Sequence, residues 1–290
     1  LARDAPANSL ESNQAAFIGD ANFPELATKS SKGAKILLYE SLYKQYSRLQ
    51  FTKACDRPIA IAGLEQRLVR AFNTNGGYGI FEGNFFGRSL LWQRDVSVEK
   101  DGLKKIDFPF MAQYRVPTWS WMAYEGAITF MNLPFDRVQW EQYDGEGKGI
   151  QWQWRAHNKS NSSSLQSSSS PSSSPSSGPA WHTGDFSEDA SLMMRARDFV
   201  NFAAARSDGR IVYDGGTQPK LDRTVKCVVV GTEKPNSKMD VAAKLEHYVL
   251  IVAAKRNNSA DDEIYERVGV GAFPGSWIDL DGPGMRVSIF

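Results

Sequence analysis

The chain has 290 residues and a net charge of +1, with 41% hydrophobic and 23% charged residues. That balance suits a globular protein with a sizeable core, and it lacks the basic field that general nucleic-acid binding requires. Two cysteines, Cys55 and Cys227, are too few for a disulfide scaffold and point to free thiols and a cytoplasmic location. The eight tryptophans and sixteen phenylalanines read first as core, because each brings a large apolar area. The opening stretch LARDAPANSLESNQ shows no basic segment followed by an apolar run, and no apolar stretch approaches a membrane span. A first residue of Leu reads as part of a longer or processed protein.

Residues 1 to about 33 are polar and read as a loosely structured N-terminal segment, with a short helix over Leu10 to Ala16 as an option. From residue 34, Leu38, Leu42, Tyr46 and Leu49 recur at helical steps, leaving Lys35, Glu40, Lys44 and Arg48 to meet water. A second helix is expected from Arg57 to Phe72, with Ile61, Leu64, Leu68 and Phe72 as its apolar stripe. Asp56 is placed to cap it, since a carboxylate can accept the orphaned amide hydrogens of the first turn. Pro58 is tolerated because its missing N–H would lack a helical partner anyway.

The stretch 73–79 is a glycine-rich turn. Phe85, Phe86, Leu90, Leu91 and Trp92 form a buried element whose period does not decide between helix and strand. Asp101-Gly102 reads as a hairpin-like turn. Pro117 biases Val116 toward extended backbone, and as a strand Trp119 and Trp121 would share one face with Ser120 on the other. A turn at Tyr124-Glu125-Gly126 precedes a strand over Ala127 to Met131, and Arg115 and Glu125 are placed to pair across it. Ile150, Trp152 and Trp154 alternate with glutamines as a half-buried strand would.

Residues 158–179 are a Ser/Pro-rich run that buries too little apolar area to offset the ordering of its backbone, so a disordered insertion is expected. The segment 181–206 reads as short helix or extended chain. Strands follow at Arg210 to Tyr213, Lys226 to Thr232, Tyr248 to Ala254, Glu263 to Val270 and Met285 to Phe290. The fold class is α+β, with N-terminal helices packed on a C-terminal antiparallel or barrel-like β unit. Residues 34–290 read as a single domain that the serine run interrupts.

No convergent catalytic set is visible. His157, His182 and His247 are dispersed without the spacing of a metal site. The glycines near residue 269 lack the following helix and acidic partner of a dinucleotide fingerprint. Catalytic, cofactor and metal residues are therefore expected to be none, and partners to exclude nucleic acid and membrane.

Three segments resemble the stretch that follows the conserved core of fungal heterokaryon-incompatibility (HET) domain proteins. The first runs from 38 to 68, with Tyr46-Ser47, Thr52, Asp56 and Ala60 through Gly63 and Leu64. The second joins the Leu-Leu-Trp ending at Trp92 to Arg115, Pro117, Trp119, Ser120, Trp121 and Gly126. The third is a strand, a linker and Tyr265-Glu266-Arg267, followed by Gly269. Met122 stands where that family usually has Ala, and the family's upstream signature segments do not occur in this sequence.

The resemblance implies a non-catalytic scaffold or interaction region within a protein of fungal non-self recognition and programmed cell death. Its implied partners are an upstream HET core or another protein, with self-association as an option. HET cores are likened to the TIR fold, so part of a nucleotide-processing, NAD-cleaving enzyme is an alternative. A module holding carbohydrate or peptide on tryptophan faces is another.

Overall fold

The computed structural model describes residues 23–109, 116–141, 192–217, 223–235, 244–255 and 264–290. Arg115, the Ile150–Trp154 alternation, the serine run and the Leu10–Ala16 option lie outside them. The first described element is α1 (Phe23–Lys29), a helix inside the stretch expected to be loose. Ala27 anchors it in the core.

Helix α2 (Lys32–Ser47) starts at Ser31, whose hydroxyl accepts from the Ala34 amide at 3.2 Å. Its buried face holds Ile36, Leu38, Tyr39, Leu42 and Tyr43. The expected stripe is thus widened by the two tyrosines. Leu49 is 52% exposed, because the helix stops at Ser47 before the next turn could carry Leu49 inward.

Helix α3 (Arg57–Phe72) has the predicted bounds and packs against α1. Ile61, Leu68 and Phe72 are buried. Asp56 holds the capping position but makes no capping bond. The preceding 3-10 turn, Ala54–Asp56, already gives it helical backbone (φ −80°, ψ −12°), and a cap needs extended geometry to aim its carboxylate back. Asn73 ends α3 in the left-handed region at φ 52°.

Strands β1 (Gly76–Gly77) and β2 (Ile80–Phe81) form a small hairpin. The ambiguous element after it resolves into α4 (Phe86–Leu90) followed by β3 (Trp92–Arg94). Next comes β4 (Lys104–Lys105), which pairs with β5 (Tyr124–Glu125), while β3 pairs with β6 (Ile128–Phe130). The Trp119–Trp121 segment is not a strand. The Ser120 amide bonds to the Pro117 carbonyl at 3.0 Å, and Ser120 then caps a 3-10 turn over Trp121–Ala123. A local hydroxyl-to-amide bond outcompetes extension here.

The remaining described elements are β7 (Val138–Trp140), β8 (Leu192–Arg197), α5 (Phe202–Ser207), β9 (Ile211–Tyr213), β10 (Val225–Glu233), β11 (Glu246–Ala254), β12 (Ile264–Pro274) and β13 (Met285–Ile289). These strands make one seven-stranded sheet that closes on itself. β8 pairs with β10, β10 with β11, β11 with β12, β12 with β13, and β13 with β8. β7 extends β10 and β9 flanks β12. All pairings are antiparallel except β12 with β13, so the unit is mixed rather than purely antiparallel. Register shifts in β10 and between β11 and β12 bend the strands, as closure requires.

Two apolar clusters result. The larger is continuous from α2 and α3 through Trp92, Trp119 and Trp121 to Leu192, Val228, Leu250, Tyr265 and Val287 on one sheet face. The smaller packs Cys227, Val249, Ile251 and Phe273 on the opposite face against Ala205 of α5. The α+β arrangement of helices on a β unit is therefore held by one shared core.

Candidate functional site

The segments singled out in the sequence meet at a buried junction centred on Arg267, which is 1% exposed. Its Nε lies 3.1 Å from Asp214 Oδ2, and its Nη2 lies 3.2 Å from Oδ1. Nη1 donates to the Leu90 carbonyl at 2.8 Å, and Nη2 also donates to the Trp92 carbonyl. The guanidinium lies over the Trp92 ring, 3.3 Å from its centroid. Burial pushes the Asp214 carboxyl up and the Arg267 guanidinium down, and their contact opposes both shifts.

The same junction fixes the rest of the aromatic segment. Trp92 Nε1 donates to the Trp119 carbonyl at 2.9 Å. The Arg267 amide donates to Thr118 Oγ1 at 3.0 Å, and that hydroxyl donates to the Phe290 carbonyl. The Ser120 hydroxyl donates to the Tyr78 carbonyl at 2.6 Å. Trp121 packs on Tyr43 with centroids 5.1 Å apart. Trp119 and Trp121 are 1% and 0% exposed, so neither offers a face to a ligand. Trp152 and Trp154 lie outside the described residues.

The other singled-out residues divide. Tyr265 is buried with Arg267, while Glu266 reaches Arg223 at 2.6 Å and Lys105 at 3.2 Å. That is the alternation expected of a strand. Gly269 is required, since a Cβ there would sit 2.6 Å from the Val212 carbonyl oxygen. Gly126 is required too, because its φ of +126° is one that L side chains rarely adopt. Pro117 is buried and its carbonyl closes the turn to Ser120. Asp56 is exposed, and nothing lies within 4 Å of a Cβ built at Gly63, so no contact explains that glycine.

A cleft of about 390 Å³ opens elsewhere, between the end of α2, the start of α3, the 99–104 loop and β5. Arg48, Arg57, Glu99, Lys104 and Glu125 line it, and Glu125, Gly126 and Ala127 bring the second singled-out segment to its wall beside the 47–57 stretch. Arg57 is 2% exposed. Its Nη1 and Nη2 donate to the Ser47 and Leu49 carbonyls at 2.9 and 3.0 Å. Its Nε has no hydrogen-bond partner among the described residues. Burial lowers its pKa, against the opposing pull of Tyr46 and Glu125. Lys104 and Glu125 face each other across the β4–β5 pair. Glu99 Oε1 accepts from the Ala127 amide at 2.9 Å, and Arg48 pairs with Asp95 at 3.0 Å.

Two carboxyls sit apart from this cleft. Glu65 accepts from the Gly79 amide at 2.5 Å beneath the β1–β2 turn, and burial pushes its pKa up to about 7. Tyr43 Oη and Trp121 Nε1 are buried without a hydrogen-bond partner among the described residues. Glu40 is likewise pushed up to about 7 by burial, against the charge of Arg88. Sequence reasoning missed Glu65, Arg57 and Asp214. The available signal for Glu65 was its place on the Ile61–Leu68 stripe of α3, where a surface residue does not belong.

Among the described residues, no three His, Cys, Asp or Glu side chains gather as a metal site, and no helix is long and apolar enough to cross a membrane. No family model, curated protein or solved structure matches the chain.

Proposed function

We propose that this chain is a non-catalytic scaffold and interaction region of a HET-like protein, serving fungal non-self recognition and programmed cell death. One observation carries the reading. Trp92, Trp119, Ser120, Trp121 and Arg267, drawn from two of the three resembling segments, meet at the junction between helical layer and β unit. Residues spent on joining layers specify a fold, whereas residues spent on chemistry line a cleft. The two carboxyls raised to about 7, Glu40 and Glu65, do not line the cleft described above. The scaffold would hold an upstream HET core or another protein, or a second copy of itself.

The test is induced expression in a filamentous fungus of a protein carrying both an upstream HET core and this region. Cell death is expected with the intact protein and is expected to be lost when residues 1–290 are deleted or when Arg267→Met breaks the junction. The purified 290-residue chain is incubated with NAD in parallel. Consumption of NAD by the isolated chain would replace the scaffold reading with the nucleotide-processing one.

A further inference from the structure

We infer that the cleft walled by Arg57, Lys104, Glu125 and Glu99 binds a small zwitterion of the α-amino-acid type. The argument starts from Arg57. A guanidinium removed from water is costly unless an anion pairs with it. Arg57 spends two N–H groups on carbonyls, lies over the Phe51 ring 5.4 Å from its centroid, leaves Nε without a partner among the described residues, and has the charge of Glu125 nearby without an ion-pair contact to it. It therefore carries a positive charge with no carboxylate in contact among the described residues, at the wall of an open cleft.

Lys104 adds a second cation. It sits directly opposite Glu125 in the β4–β5 register, yet the two form no ion pair with each other. The wall thus presents neighbouring charges of opposite sign that are not tied up in an ion pair with one another. Glu99 supplies a second carboxylate, fixed in place by the Ala127 amide.

This pattern selects a ligand class. A phosphate or sulfate would meet Arg57 and Lys104 but would be repelled by Glu99 and Glu125. A simple ammonium would be repelled by the two cations. An α-amino acid carries a carboxylate and an ammonium on one carbon, close enough to use both halves of the wall. Its carboxylate faces Arg57 and Lys104 in a charge-assisted contact, and its ammonium faces Glu125 and Glu99. The volume of about 390 Å³ lies at the small end of ligand pockets, about 300–1,000 Å³. Leu49, exposed at the rim, is available to an apolar side chain.

The experiment follows backbone amide signals of the 15N-labelled chain. Gly102 and Gly126 line the cleft and report on it directly. Glycine, L-leucine and L-glutamate are titrated, with acetate, methylammonium and inorganic phosphate as single-charge controls. The expected result is a saturable shift of both glycines with at least one amino acid and none with the controls. Glu125→Gln and Lys104→Met, at the half-buried and exposed ends of the wall, should each weaken binding by about tenfold or more. Their spectra away from the cleft should remain native. Tighter binding of phosphate than of any amino acid overturns the inference, as does the absence of any shift. Saturation that survives both substitutions in natively folded variants overturns it as well.

Discussion

Arg267 and Asp214 hold opposite charges 3.1 Å apart with both side chains out of water. A pair of this kind is weak evidence of net stability, but removing one partner strands the other. Arg267→Met leaves Asp214 unpaired and deprives the Leu90 and Trp92 carbonyls of donors. We expect a loss of about 3–5 kcal/mol in urea unfolding. Pairing it with Asp214→Leu should recover part of that loss, and a double-mutant cycle measures how much. A loss under about 1 kcal/mol would mean that the junction tolerates an unpaired carboxylate, against the general cost of one. The two glycines make a contrasting pair. Gly63 lies within α3 with open space around it, so Gly63→Ala should raise stability by about 0.5–1 kcal/mol. Gly269→Ala must displace the Val212 carbonyl and should lower it by about 1–3 kcal/mol. Thermal unfolding of the two variants reads both signs. Neither Arg267 nor Arg57 announces its burial in the sequence. Charged residues are ordinarily exposed, and only the tertiary pairing with Asp214, or the two carbonyls at the end of α2, makes these positions buried.

At the scale of elements, periodicity was enough where an element packs through one face. Helix α3 has a 16-residue amphipathic pattern, and its approximate bounds were readable from it. β10, β11 and β12 were readable as apolar runs between turn signals, although β10 runs past both expected ends, β11 starts two residues earlier and β12 continues to Pro274. The Trp119–Trp121 segment was not readable, because alternation over three residues fits a strand and a capped 3-10 turn equally well. Ser120 decides it, through bonds to the Met122 amide and the Tyr78 carbonyl that a linear pattern does not contain. Glu65 has a consequence at this scale. Its pKa rises from 4.5 in the free group to about 7 in the fold. Between those values the folded chain keeps a proton that the unfolded chain releases, so stability is full below about 4.5 and falls as pH rises toward 7. Glu40 acts in the same direction. The urea midpoint should therefore drop from pH 5 to pH 7. Glu65→Gln should flatten that drop while keeping an oxygen for the Gly79 amide. Equal drops in the native chain and in the Glu65→Gln and Glu40→Gln variants would show that other groups set the dependence.

At the scale of the molecule, the closed ring of five strands and the helical layer could in principle be separate folding units. The sequence suggested one α+β domain with an antiparallel or barrel-like β unit from its order of elements, but not which strands close it, because the pairings of β8 with β10 and β13 join strands distant in sequence. What ties the two layers is a short set of crossings. Thr118 bridges the Arg267 amide and the Phe290 carbonyl, Arg267 reaches back to the carbonyls flanking Leu91, and the Leu103 amide bonds to the Asp214 carbonyl. Tyr265 and Leu250 share the same apolar cluster as Tyr39 and Phe72. Neither layer can open without exposing that cluster, so both should unfold in one cooperative step. Tryptophan fluorescence and far-ultraviolet circular dichroism test this together. Trp92, Trp119 and Trp121 report on the junction, and the backbone signal reports on helices and sheet. Coincident midpoints in urea are expected for the native chain. In Arg267→Met both midpoints should move down together, because the substitution weakens the contact that couples the layers without freeing either from the shared core. A helical signal that melts ahead of the rest in the native chain would instead make the β unit an independent domain, and the junction a docking contact between two bodies.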